Sequence, residues 1–186
     1  MNYKAIFAAA FFFPAISQAV SSHWQIIPAE SQLTFEGTQN NAPVKGEFKQ
    51  FNGEIMVDPD DYKKSTIAIT VDINSVSASY ADLVTTLVAP EWFDAKAFPK
   101  AEFKAADFEK TGENTYKAHG TLTLRGKTVL VDLLFSTEQP SADKGIITGT
   151  TTIKRTAFGV GQGDWASTDE IKDNVTVNFK VSAIKQ

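Results

Sequence analysis

The chain has 186 residues, with 18 basic against 22 acidic side chains, a formal net charge of −4 and no cysteine. That length fits one ordinary domain with a substantial core. The acidic balance excludes the electrostatic footprint of a nucleic-acid or anionic-membrane binder, and the lack of cysteine excludes disulfides, Cys-type zinc sites and lipidation at an N-terminal cysteine.

Residues 1–19, MNYKAIFAAAFFFPAISQA, read as a cleaved export signal. Lys4 is the short positive n-region, Ala5 to Ile16 the apolar stretch, and Ser17-Gln18-Ala19 places small residues where signal peptidase inspects them. The apolar run is shorter than the about 20 residues a bilayer span requires. The expectation is a soluble periplasmic protein of residues 20–186, a single domain with no stable membrane insertion.

Downstream, alternation with period 2 dominates, as in strands with one dry and one wet face. Inward positions recur at Leu33, Phe35 and Gly37, at Val44, Gly46 and Phe48, and at Phe51, Gly53, Ile55 and Val57. They continue at Ile67, Ile69, Val71 and Ile73, with another strand around Phe103. Further runs are Tyr116 to Leu124, Val129 to Phe135, Ile147 to Ile153 and Val175 to Val181. Short polar turns such as Arg125-Gly126-Lys127 favour antiparallel neighbours.

One segment departs from this period. Tyr80, Leu83, Val84, Leu87 and Val88 predict an amphipathic helix that stops near Pro90, followed by a turn at Glu91-Trp92-Phe93-Asp94. About eight strands and one helix predict an all-β fold, either a sandwich or a closed barrel, and closure alone removes exposed edges. Five glycines, Gly37, Gly46, Gly53, Gly120 and Gly149, share the inward register. They either relieve strain at bends or, with Ala105 and Ala118, leave room for a cavity walled by Phe, Leu, Ile and Val.

Candidate chemistry is sparse. His23 and His119 have no partners at ligand or triad spacing, so no metal site and no cofactor is expected. Asp58, Asp60 and Asp61 lack the frame of a calcium loop and read as a solvated turn. Gly159-Val160-Gly161-Gln162-Gly163 lacks the following helix that a nucleotide loop requires. No G-x-S-x-G elbow is present. Nothing here points to an enzyme.

Several stretches together carry a resemblance. They are Trp24-Gln25-Ile26-Ile27-Pro28, Glu30-Ser31-Gln32-Leu33-Thr34-Phe35, Val44-Lys45-Gly46-Glu47-Phe48 and Phe51-Asn52-Gly53-Glu54-Ile55. To these are added Trp92-Phe93-Asp94 leading to Phe98-Pro99 and Phe103, the hairpin from Gly120 to Val129, and Arg155-Thr156-Ala157-Phe158-Gly159. In this order and spacing the mature chain resembles the YceI family of exported, lipocalin-like proteins that bind polyisoprenoid lipids. It departs from the family pattern at Glu30, where histidine is usual, and in the helix Asp82-Leu83-Val84-Thr85-Thr86-Leu87, where members are commonly more basic.

The resemblance implies an extended eight-stranded antiparallel barrel with one amphipathic helix packed beside it. It also implies a non-enzymatic carrier of a polyisoprenoid or an isoprenoid quinone; the sequence leaves the oligomeric state open, a homodimer included. An enzyme acting on such a lipid, or an envelope stress or interaction protein with a packed barrel, are the alternatives. On this reading the ligand-binding wall is Phe35, Phe48, Ile69 and Val71, then Leu83, Leu87, Trp92 and Phe93 around the helix. Phe103, Leu122, Leu124, Phe135, Phe158 and Phe179 complete it. Arg155 is the expected partner of a polar head group, since a guanidinium suits phosphate or carbonyl oxygens.

Overall fold

A computed structural model describes residues 22–58 and 61–186. The predicted export signal lies outside the described residues, as do Pro59 and Asp60 of the acidic turn.

Eleven strand segments make one sheet: β1 (Ser22–Ile26), β2 (Gln32–Gln39), β3 (Ala42–Phe48), β4 (Phe51–Val57), β5 (Thr66–Asp72), β6 (Val76–Ala78), β7 (Lys100–Lys110), β8 (Thr115–Leu124), β9 (Lys127–Ser141), β10 (Lys144–Lys154) and β11 (Asn174–Lys185). Six of these are halves of interrupted strands. A 3-10 turn at Pro28–Glu30 separates β1 from β2, Lys49 and Gln50 separate β3 from β4, and a 3-10 turn at Ile73–Ser75 separates β5 from β6. Pro28 has no N–H to give to a ladder, so a break there is expected. Counted as continuous staves, the wall is a closed barrel of eight antiparallel strands, the barrel that the resemblance implies and one of the two forms that the alternation allows.

Closure depends on β11. Its last residues pair with β1, from Ala183 opposite Ile26 to Lys185 opposite Trp24. Its first half pairs with β2, from Thr176 opposite Glu36 to Lys180 opposite Gln32. The opposite flank pairs with β10 along the whole strand. The tight turns carry residues suited to them. Asn40 and Asn41 join β2 to β3, and Arg125 and Gly126 join β8 to β9, all four with positive φ as type I′ hairpins require.

The wall is incomplete at one place. β5 pairs with β7, but β6 pairs only with β3, because the chain leaves the sheet after Ala78 and returns at Lys100. That excursion holds the helix α1 (Ala81–Val88), which packs beside β6, and the turn after it. Leu87 is buried, and Leu83, Val84 and Val88 pack on the same core, so the i, i+3, i+4 pattern does mark the inner face. Ala89 ends the helix in extended geometry just before Pro90. Backbone bonds from Phe93 N to Leu87 O (2.9 Å) and Ala95 N to Val88 O (3.1 Å) fold the following turn back onto the helix.

Two apolar clusters pack along the inside of the barrel wall. One runs from Ile73, Val76, Phe93 and Phe158 at the α1 end along Phe103 to Phe108 and Ala118. The other, at the far end, is built on Ile26, Phe51, Ile55, Val181 and Ala183, with Trp24 packed against it. Glu30 lies outside that far end, paired with Lys144. Between the clusters the inward faces meet open space.

Candidate functional site: an apolar tunnel with a polar mouth

A cavity of about 370 Å³ runs along the inside of the barrel. Its wall takes in Ile55, Ile147 and Val181 at the far end and Tyr80, Asp82, Leu83 and Thr86 at the helix. It is therefore one continuous tunnel. Val175, Val177 and Phe179 stand on the inward face of a strand bonded on both sides, yet they are only partly buried because they border that space.

Of the residues assigned to the wall from sequence, Phe35, Phe48, Ile69, Val71, Leu83, Leu87, Trp92, Phe93, Phe103, Leu122, Leu124, Phe135 and Phe179 all border the tunnel. Aromatic contacts organise them. Phe48 bridges Phe35 (5.5 Å between ring centroids) and Phe93 (5.8 Å), while Tyr116 stacks on Phe135 and meets Tyr62 edge-on.

Phe158 is a correction. It sits on the 3-10 turn Arg155–Phe158, beyond the end of β10, where the period-2 register no longer applies. Its side chain is 1 % exposed in the cluster near α1 and does not border the tunnel. Its role is packing.

Arg155 is a second correction. It borders the tunnel, but every guanidinium N–H already has a backbone carbonyl. Nε donates to Lys172 O (3.3 Å), Nη1 to Val160 O (3.0 Å) and Gly161 O (3.3 Å), and Nη2 to Ser167 O (2.7 Å) and Ile171 O (3.0 Å). A guanidinium has five donors, so none remains for a ligand. Burial pulls the Arg155 pKa down, and the nearby Asp173 carboxylate opposes that. The charge serves to gather the loop of residues 159–173 and hold it over the barrel end, with the Trp92 ring 6.0 Å from the guanidinium carbon.

The glycine-rich stretch belongs to the same device. Gly159, Gly161 and Gly163 all have positive φ, and a Cβ on Gly161 would collide with the Arg155 Nη1. These glycines wrap a guanidinium; the single 3-10 turn Gly163–Trp165 that follows offers no helix terminus for a phosphate.

The inward strand glycines act differently from the cavity expectation. At Gly46 the missing Cβ is replaced by the ring of Phe35, its opposite neighbour on β2. Phe103 covers Gly120 from a diagonal position, Phe179 covers Gly149 and Ile69 covers Gly53. In each case a Cβ would lie under 3.0 Å from these side chains and from backbone. The glycines are notches into which large side chains lie flat along the wall, an arrangement known as aromatic rescue where the partner is aromatic. They keep the bore open by lowering their neighbours, not by emptying their own positions. Gly37 alone fits the original expectation: a Cβ there would meet only Val175 Cγ2, at 4.0 Å.

Sequence reasoning missed part of the lining. Leu33, Phe51, Ile55, Ile67, Val131, Leu133, Ile153, Val177 and Val181 border the tunnel, and the same alternation that marks Phe35 or Leu122 also marks them. The polar mouth, formed by Thr38, Gln39, Tyr80, Asp82, Thr86 and Lys172, had no such signal, because most of it lies on the helix and a loop. Among the described residues, large apolar side chains on the outside are few and separated. Leu130 and Leu134 are exposed on β9, but Asp132 stands between them and binds His119 (2.7 Å). Among the described residues no cluster of His, Cys, Asp and Glu could hold a metal, and no helix is long and apolar enough to cross a membrane.

Comparison with known proteins agrees with this architecture. A UPF0312 protein of Pseudomonas putida strain W619 is 25% identical over 92% of this chain and 95% of its own length. Relatives in Vibrio cholerae are also 25% identical, and this chain spans 65% of their length. Among solved structures, Burkholderia cenocepacia BcnA superposes with a TM-score of 0.80 at 30% identity, covering 84% of this chain and 98% of BcnA. A polyisoprenoid binding domain from Saccharophagus degradans, implicated in plant cell wall breakdown, shares the fold with a TM-score of 0.72 at 16% identity, covering 88% of this chain and 98% of that one. The family model described as the YceI-like domain matches residues 24–183, and this chain belongs to the YceI family.

Proposed function

We propose that this chain is a non-enzymatic carrier that encloses a long apolar lipid, a polyisoprenoid or an isoprenoid quinone, and that it works in the periplasm after export. The observation that carries the reading is the continuous apolar tunnel from α1 to Ile55 and Val181. Each buried methylene contributes about 0.8 kcal/mol, so a chain of several isoprene units gains enough to offset the entropy of holding it straight. Binding is supported over catalysis by the site's own chemistry. The tunnel wall is apolar, its buried arginine is already saturated, and its other charged residues, Asp82 and Lys172, are exposed at the mouth. The polyisoprenoid-binding description of a domain with the same fold supports the lipid class.

The test is organic extraction and mass spectrometry of protein purified gently from its own envelope fraction, beside a Gly37→Phe variant that narrows the tunnel. The expected result is a stoichiometric isoprenoid lipid in the wild type, much reduced in the variant, on a polypeptide whose intact mass begins at Val20. Equal traces of bulk phospholipid from both proteins would remove the carrier reading.

A further inference from the structure

The two ends of the tunnel differ in chemistry, and the difference bears on the head group. The far end is closed in by Ile26, Ile55, Val181 and Ala183, all buried and all apolar. The end at α1 carries the polar lining, so a lipid with its tail inside holds its head there.

Three charged residues border the tunnel: Asp82, Arg155 and Lys172. Arg155 has all five N–H groups on backbone carbonyls. Lys172 donates to Asp169 O (2.8 Å) and is exposed, where its remaining charge is screened by water and salt. Asp82, on the first turn of α1, puts a carboxylate at the same mouth. A phosphate is bound most strongly by convergent charged donors, whose hydrogen bonds are about twice as strong as neutral ones. This mouth offers one solvated ammonium against one carboxylate, on a chain of net charge −4. The remaining groups there are neutral: the Tyr80 phenol, the Gln39 amide and the Thr38 and Thr86 hydroxyls. The Thr86 hydroxyl donates to Asp82 O (3.0 Å), which leaves its oxygen able to accept.

We propose that the mouth selects lipids whose head is uncharged and hydrogen-bonding, such as an alcohol, a quinone or an ester, and discriminates against a phosphate or diphosphate on the same tail. This rests on the carrier reading and deepens it.

The test titrates the protein with one C20 isoprenoid chain in three forms, the free alcohol, the monophosphate and the diphosphate, below their aggregation limits, reading the fluorescence of Trp92 and Trp165. The alcohol is expected to bind at least tenfold more tightly than either phosphate. Because an alcohol also leaves water more readily, the decisive readout is the ratio between forms in charge variants. Asp82→Lys should narrow the gap at least threefold, an effect that fades with added salt, and Lys172→Glu should widen it. Thermal unfolding of each variant establishes that it is folded. Phosphates bound as tightly as the alcohol, or ratios that do not respond to either variant, overturn the proposal while leaving the carrier intact. Failure of all three forms to bind overturns the carrier reading and this proposal with it.

Discussion

The wall of the barrel and the loop over its mouth are held by opposite means. In the wall, each inward residue is fixed by its ladder partners, and large side chains settle into glycine notches opposite or diagonal to them. In the loop of residues 159–173 the backbone has little regular structure, and one buried guanidinium binds the carbonyls of Val160, Gly161, Ser167, Ile171 and Lys172. Regular pairing distributes stability over many small contributions, whereas the clamp concentrates it in one residue. A hollow protein gains from this arrangement, because the mouth stays ordered without a hydrophobic plug that would compete with a ligand.

The comparison breaks most severely at Arg155. Replacing it by Met keeps much of the volume but leaves the buried carbonyls of Val160 and Gly161 without donors, each costing about 1 to 3 kcal/mol, and three part-buried ones at a smaller cost. The expected loss exceeds about 3 kcal/mol by chemical denaturation, with Lys giving only partial rescue because a single ammonium cannot reach five separated acceptors. A loss below about 1 kcal/mol would mean that the loop is held by its other bonds.

The wall should respond at a notch. Gly120→Ala places a Cβ against the Phe103 ring and Lys104 O, so the ring must rise into the tunnel and the strand must shift. The expected cost is about 1 to 3 kcal/mol, the usual range for overpacking. Pairing it with Phe103→Leu, which vacates the notch, should recover part of that loss, and an additive double mutant would show that the two residues are not coupled.

These effects divide along what the sequence displays. The inward register of Phe35, Leu122 or Phe179 was legible because a period of two places every second side chain on one face, and one dry face needs a common interior. That Phe35 lies in the notch of Gly46 was not legible, since it depends on which residues the ladder sets opposite each other. Arg155 was misassigned for a similar reason. Its partners lie between residues 160 and 172 in a stretch without periodicity, and they are carbonyls, which every residue type possesses. Phe158 follows a change from strand to 3-10 turn, where alternation no longer tells which way a side chain points.

A smaller effect tests the electrostatics beside the clamp. Burial would raise the Asp173 pKa, but hydrogen bonds from the Thr156 N–H (3.0 Å) and hydroxyl (2.7 Å), with the charges of Lys154 and Arg155, outweigh it and hold the carboxyl below its usual value. A depressed folded-state pKa contributes stability that is present above the ordinary carboxylate value of 3.8 and lost as pH falls through the lower folded value. Wild type should therefore lose stability in that acid window more steeply than Asp173→Asn. The difference should be no more than about 1 kcal/mol, since the group is not deeply buried. Parallel acid titrations of the two proteins would remove the idea if their midpoints coincide.

The smallest expected change in stability belongs to Gly37, and it is the one that separates wall from tunnel. Its four counterparts in the inward register are filled by a neighbour, while a Cβ at Gly37 meets Val175 Cγ2 at ordinary contact distance and otherwise open space. The position lies on the tunnel wall beside Thr38, Val44 and Val175, near the mouth, and its φ is not in the left-handed region. A larger residue there gains the strand preference that glycine lacks, about 0.5 to 1 kcal/mol, which offsets any modest crowding. Gly37→Phe should thus unfold within about 1 kcal/mol of wild type, while its ring narrows the passage a lipid tail must cross. Binding of an isoprenoid alcohol should fall at least tenfold. Gly37→Ala, adding one methyl to the same wall, should leave both properties close to wild type. If Gly37→Phe is instead strongly destabilised, Gly37 is a fifth notch, and the open space beside it is filled by a movement of Phe35 or Val175. If it is stable and binds as well as wild type, the tail enters by another part of the mouth, between α1 and the loop that Arg155 holds.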